Sequence, residues 1–115
     1  MKQSTRPTRF YSKKQESAIA KAIDGKRQVN SGATAFQKGD VIAGDWLIEA
    51  KTCIKEQKSF NIKKEWLDKN KEECFAMNKN YSAVAFNFGD DKNYYIIDEK
   101  LFIRIKELLE KDDNL

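Results

Sequence analysis

The chain has 115 residues, 35% of them charged, with one proline, five glycines and no internal repeat, which fits a single compact domain and leaves no room for a second. It has no histidine, which excludes Ser-His-Asp and Cys-His catalysis, helix-borne zinc hydrolase motifs and histidine-bearing zinc fingers. Any hydrolytic or acid-base chemistry must therefore fall to carboxylates, lysine and a hard cation. The net charge of +4 is uneven: residues 1–38 hold nine Lys or Arg against Glu16 and Asp24, and the remainder holds thirteen against sixteen acids. A basic first third on an otherwise acidic chain points to a polyanion partner, nucleic acid above all. No stretch approaches the roughly 20 apolar residues of a membrane span and the first residues lack the apolar run of a signal peptide, so a soluble, cytoplasmic protein is expected. Cys53 and Cys74 lie 21 positions apart with no second pair beside them, a spacing that suits buried free thiols better than zinc or a disulfide framework.

Residues 1–11 carry Lys2, Arg6 and Arg9 with Pro7 and no apolar period, and are expected to form a mobile basic arm able to lie along phosphates. Ser12 and Gln15 make a capping-box start, and Ala18, Ile19, Ala22 and Ile23 give a helical stripe that stops at Gly25. Glu16 lies on the flank of that stripe, where it either looks inward or sits exposed near the helix start, favouring the dipole. Residues 26–30 read as a short strand. Ser31-Gly32-Ala33 follows as a small-residue loop where a backbone could approach a phosphate closely.

The segment Gly39 to Thr52, GDVIAGDWLIEAKT, reads as a β-hairpin around Gly44-Asp45, a dipeptide suited to a two-residue type II′ turn. That turn sets Ala43 opposite Trp46 and Asp40 opposite Glu49, with Cβ atoms roughly 5 Å apart. Lys51 shares their face, because side chains alternate along a strand. Opposed like charges destabilise a sheet, so folding alone gives little reason for this pair. A divalent cation between them would turn repulsion into binding, with Lys51 at hand for a phosphate or an attacking water. The alternative is a solvated hairpin face in a chain rich in Lys and Glu. Against it, Ile42 and Leu47 make the charged face partly apolar, as in a strand buried on both sides, and a buried carboxylate needs a partner.

Beyond the hairpin, Lys51, Lys55, Lys58, Lys63 and Lys64 form a second basic cluster against Glu56 alone. Asn61 is expected to cap a helix over residues 62–78 whose broad apolar face holds Ile62, Trp66, Leu67, Cys74 and Met77. Residues 81–88 form a strong strand, apolar on both sides and so expected to be central. A turn at Gly89-Asp90-Asp91-Lys92 leads into a strand over 93–98. A last helix, 99–111, is expected to bury Leu101, Phe102, Ile105, Leu108 and Leu109 against the sheet or a second copy of the chain, the sheet being slightly favoured. The sum is an α/β domain over residues 12–111 in the order αβββαββα, one mixed five-stranded sheet flanked by helices, with a frayed tail at 112–115. The connection from the hairpin into residues 81–88 should be a right-handed parallel crossover.

This pattern resembles the PD-(D/E)xK nuclease superfamily and, within it, the small archaeal and phage Holliday junction resolvases. The likeness is carried by Asp40, then eight residues, then Glu49-Ala50-Lys51, with Glu16 on a preceding helix and the segment RQVNSGA, Arg27 to Ala33, between. Gly39 stands where the superfamily name has proline. The resemblance implies a restriction-endonuclease-like fold and a homodimeric, magnesium-dependent endodeoxyribonuclease that resolves four-way junctions, with Mn²⁺ able to substitute. It implies that Asp40 and Glu49 bind the metal, with the Ala50 carbonyl available as a further ligand, and that Glu16 completes the acidic cluster directly or through metal-bound water. Lys51 would orient or deprotonate the attacking water, and Ser31 would sit near the scissile phosphate. DNA contacts would come from Arg6, Arg9, Lys13, Lys14, Arg27, Ser31, Gly32, Lys55, Lys58, Lys63 and Lys64. A cytoplasmic enzyme, phage-encoded and acting in a host cell among the options, fits the same picture. Two other readings stay open: a nicking or end-processing nuclease of the same superfamily, and a DNA-binding module without catalysis.

Overall fold

The structure is a computed structural model that describes residues 8–27, 40–53 and 55–113, and the backbone alone for residues 8–12. Three helices and five strands follow one another as α1 (Thr8–Ala22), β1 (Lys26–Arg27), β2 (Asp40–Ala43), β3 (Trp46–Lys51), α2 (Lys64–Ala76), β4 (Tyr81–Phe86), β5 (Tyr94–Ile96) and α3 (Glu99–Asp113). The expected order αβββαββα is the order found. The strands form one mixed sheet in the order β1-β2-β3-β4-β5.

Helix α1 begins at Thr8, four residues ahead of the Ser12 capping box, so residues 8–11 belong to the helix and not to the arm. A capping motif marks a favourable start but does not stop a helix entering from upstream, and every added residue contributes a backbone hydrogen bond. At the other end the Gly25 amide donates to the Ala20 carbonyl at 2.8 Å, and Asp24 takes the left-handed conformation with φ 55°. Gly25 serves closeness instead: a Cβ there would lie 2.7 Å from the Ile42 carbonyl oxygen. Of the strand expected over 26–30, Lys26 and Arg27 lie within the described residues and pair antiparallel with Ile42 and Val41.

The hairpin adopts the expected register, with Ala43 opposite Trp46 and Asp40 opposite Glu49. Gly44 turns it at φ 57°, a value that costs glycine no steric strain. Strand β3 then pairs parallel with β4, Glu49 beside Val84 and Lys51 beside Phe86. Strand β4 is an interior strand with Ala83, Val84 and Ala85 all buried, although β3 holds the middle of the sheet.

Alternation along the strands divides the molecule into two sides. One sheet face presents Val41, Ile48, Ala83 and Ala85, which pack with Ile19 of α1 into the main apolar core. The opposite face carries Asp40, Leu47, Glu49, Lys51, Val84 and Phe86, and α2 lies over it. Helix α2 starts two residues later than expected. Lys63, extended at φ −94° and ψ 131°, stands at the cap position without a side-chain hydrogen bond, and Asn61 plays no capping part. The segment before it is held instead by Phe60, whose ring packs 5.1 Å from Phe86 and 6.2 Å from Trp66. Ile62 is consequently outside the helix and exposed.

Helix α3 starts at Glu99 as expected, capped by the Asp98 carboxylate, which accepts from the Leu101 amide at 2.9 Å. It does not bury its apolar stripe. Leu101 and Ile105 are half-buried, while Phe102, Leu108 and Leu109 are exposed, so of the two covers expected, the sheet or a second copy of the chain, the sheet, slightly favoured, does not cover all five. Cys53 and Cys74 are buried free thiols, and the Cys74 thiol donates to the Lys79 carbonyl at 3.2 Å. No helix among the described residues is long and apolar enough to cross a membrane.

Candidate metal centre

Three carboxylates converge where α2 crosses the hairpin. Asp40 opens β2, Glu49 lies opposite it in β3, and Glu73 reaches down from the last turns of α2. One oxygen from each lies within 4.8 Å of the others. All three residues are buried, at 0%, 2% and 9% exposure. Neither carboxylate oxygen of Glu73 has a hydrogen-bond partner among the described residues. Burying a carboxylate without a partner costs several kcal/mol, so a cation held beside Glu73 is an arrangement that fits this donor set. Three carboxylates without nitrogen or sulfur form a hard, all-oxygen set suited to Mg²⁺ or Mn²⁺.

Lys51 stands beside this cluster. Its Nζ lies 3.4 Å from Glu49 Oε2 and 4.5 Å from the centre of the Trp66 ring, which shields the ammonium on one side. Burial pushes the Glu49 carboxyl above the ordinary glutamate range; the Lys51 charge and hydrogen bond oppose that shift, and the nearby Glu73 adds to it. Lys51 alone thus does not compensate the local negative charge. Ala50, between the two, turns its methyl toward the α1 side and packs on the main core.

Gln15 of α1 holds the end of β3 in place. It is buried, and its Nε2 donates to the Lys51 carbonyl at 2.8 Å and to Asn93 Oδ1 at 3.2 Å, while Asn87 Nδ2 donates to the same Asn93 oxygen at 3.4 Å. From the other side, Asn70 Nδ2 of α2 donates to the Leu47 carbonyl at 3.5 Å. Both ends of β3 are therefore tied to helices, which fixes Glu49 and Lys51 between them.

The sequence singled out Asp40, Glu49 and Lys51, and the fold brings them together. Glu16 is elsewhere. It is buried, its Oε1 lies 3.4 Å from Arg27 Nε, and it is not among the three acids whose oxygens lie within 4.8 Å of one another. Arg27 is correspondingly engaged with Glu16. Ser31, Gly32 and Arg6 lie outside the described residues, as does the side chain of Arg9. Lys13, Lys14, Lys55, Lys58, Lys63 and Lys64 are all exposed; Lys14 pairs with Asp91 at 3.5 Å and Lys64 with Asp68 at 2.9 Å.

Sequence reasoning missed Glu73. The signal was present: Trp66, Asn70, Glu73 and Met77 recur at helical spacing, so Asn70 and Glu73 interrupt the apolar stripe from inside it. No family model matches the chain, and no curated protein or solved structure is significantly similar to it. The site must be read from its own chemistry.

Proposed function

We propose that this protein is a metal-dependent endonuclease that cuts branched DNA, four-way junctions in particular, and works as a homodimer. The observation that carries the reading is the convergence of Asp40, Glu49 and Glu73, buried and within 4.8 Å, beside the Lys51 ammonium. Asp40, Glu49 and Glu73 would hold a divalent cation, which when bound supplies Lewis acidity toward a phosphodiester. Lys51, held against Trp66 and next to Glu49, is positioned to donate to a phosphate oxygen or to orient a water. The restriction-endonuclease-like assignment belongs to this proposal, supported by a hairpin followed by a parallel strand in a five-stranded mixed sheet. The exposed lysines at 13, 55, 58 and 63 give the surface phosphate contacts that set affinity without reading bases. Two symmetric nicks need two active sites, and one chain of this size provides one.

The test is cleavage of a four-way junction, a linear duplex and a single strand, each with Mg²⁺ or with EDTA. The expected result is Mg²⁺-dependent cutting of the junction, and a loss of about 10³-fold in Asp40→Asn with DNA binding retained. Equal cutting of all three substrates removes the junction preference and leaves a nuclease. Salt-sensitive binding without Mg²⁺-dependent turnover identifies a non-catalytic DNA-binding module. Undiminished cleavage by Asp40→Asn removes the metal site.

A further inference from the structure

Helix α3 has fifteen residues, a length of about 22 Å, and none of its side chains is buried. Phe102, Ile103, Leu108 and Leu109 are 57%, 45%, 58% and 59% exposed. Positions 101, 102, 105, 108 and 109 recur at helical spacing, so these five form one stripe, with Ile103 beside it. Covering a Leu or Phe side chain is worth about 1.5–3 kcal/mol each, and a solvated stripe of this breadth calls for a cover. An apolar groove of ≈ 590 Å³ adjoins it on the α1 side of the sheet, lined by Trp46, Ile48, Tyr95, Ile97 and Ile105 of α3 itself. The apolar surface therefore continues from the helix onto the sheet, toward the roughly 800 Å² per partner that a stable dimer needs.

The charges along α3 select the occupant. Its first half, Glu99 to Lys106, carries Lys100, Arg104 and Lys106 against Glu99 alone; its second half, Glu107 to Asp113, carries Glu107, Glu110, Asp112 and Asp113 against Lys111 alone. We propose that the α3 stripe docks a second copy of this chain, the two α3 helices packing antiparallel about a twofold axis. That arrangement sets the basic half of each helix against the acidic half of the other, twice over, as an isologous interface requires. Parallel packing would oppose basic to basic and acidic to acidic. Lys106 pairs with Glu110 within the helix at 2.8 Å, but an exposed pair of this kind is weak and yields to partners across an interface. An anionic membrane is a poorer match, because its binding helices are basic along the whole polar face. The surface deepens the homodimer half of the reading above, on which it rests, and is independent of the metal centre, since the acid cluster lies on the other side of the sheet.

The test is sedimentation velocity of the full chain at 10–100 µM, concentrations on the scale of a μM dissociation constant. The wild type is expected at twice its 13.4 kDa chain mass. Leu108→Glu with Leu109→Glu should be monomeric with an unchanged circular dichroism spectrum, both residues being exposed. Two charge variants sharpen the orientation: Lys100→Glu/Arg104→Glu/Lys106→Glu and Glu107→Lys/Glu110→Lys/Asp113→Lys should each weaken self-association about 100-fold or more, and an equimolar mixture should restore the dimer. A monomeric wild type, a dimer that survives Leu108→Glu/Leu109→Glu, or charge variants that pair as well alone as the wild type would each overturn the proposal. So would a monomer that binds phosphatidylserine vesicles through this face. Mg²⁺ uptake, read by calorimetry on the monomeric variant, separates failure of the dimer from failure of the metal centre.

Discussion

Between the hairpin and α2 the protein buries three carboxylates; along α3 it leaves four large apolar side chains in water. Each region reverses the ordinary sorting of polar and apolar groups, and in opposite directions. The cost differs in kind. At the acid cluster it is electrostatic, several kcal/mol for a carboxylate such as Glu73 that is held from water with no hydrogen bond among the described residues. On α3 it is unrealised burial, spread over Phe102, Ile103, Leu108 and Leu109, with no local strain. On the two proposals above a cation would complete the first region and a second copy of the chain the second, so the two should respond independently to different additions.

The largest departure from independence between charge and fold should come at Glu73. Glu73→Leu is expected to stabilise the metal-free protein by about 1–3 kcal/mol, because it replaces a buried carboxylate that lacks hydrogen bonds among the described residues with an apolar side chain. The same change should remove most of the thermal stabilisation by Mg²⁺ or Mn²⁺, which rises with bound ligand as RT ln(1 + [L]/Kd). Urea unfolding in EDTA and in 10 mM Mg²⁺, on the order of ten times a mM dissociation constant, measures both. A variant destabilised in EDTA would mean that the Glu73 carboxylate has a structural partner, and the contrast between the two regions would then shrink to α3 alone.

The parts of this contrast were unequally legible in the sequence. Asp40 opposite Glu49 could be read because a two-residue turn at Gly44-Asp45 permits one register, and register decides which side chains face each other. Element order followed from period and punctuation. Glu73 was obscured by its surroundings: in the lysine- and glutamate-rich stretch before Cys74, a charge inside the apolar stripe looks like its exposed neighbours unless the stripe is traced position by position. Glu16 was assigned to the acid cluster because its helix position allowed an inward view. Periodicity states that a side of a helix is inward; the choice between two sheet faces is tertiary, and α1 lies on the face away from Asp40. The same limit explains α3, whose stripe was evident while the surface it meets was not.

A pH series separates the cluster from the rest of the protein. Burial raises the Glu49 carboxyl in the folded state above its unfolded value, so between those values the native protein holds a proton that the unfolded chain has lost. The associated stability is fully present below the ordinary glutamate value and is lost as pH rises through the raised one, with a slope of at most about 1.4 kcal/mol per pH unit. Thermal melts in EDTA should show this decline toward higher pH, and Mg²⁺ should cancel it by favouring the ionised form. Glu49→Gln should flatten the metal-free profile. A profile that declines equally in Glu49→Gln would assign the effect to another group.

Asp98 provides the opposite sign and the smallest effect. Its carboxyl is held below the ordinary aspartate value, first by a hydrogen bond from the Lys71 ammonium and then by the Leu101 amide at the start of α3. Its contribution is present above the unfolded value and is lost as pH falls through the lowered one, so it works on the acid side, away from the Glu49 decline. The group is exposed and the pair with Lys71 is screened, which limits its worth. Asn is as good a cap as Asp, so Asp98→Asn keeps the Leu101 bond while removing the charge and with it the hydrogen bond from Lys71, at an expected cost of at most about 1 kcal/mol. Since α3 touches the body of the protein lightly, this change should alter the melt less than it alters dimer mass if the cap sets the angle at which α3 leaves the sheet. Melting and sedimentation on the same Asp98→Asn sample decide it: a shifted melt with an unaltered mass would tie α3 to the fold more firmly than its exposure implies.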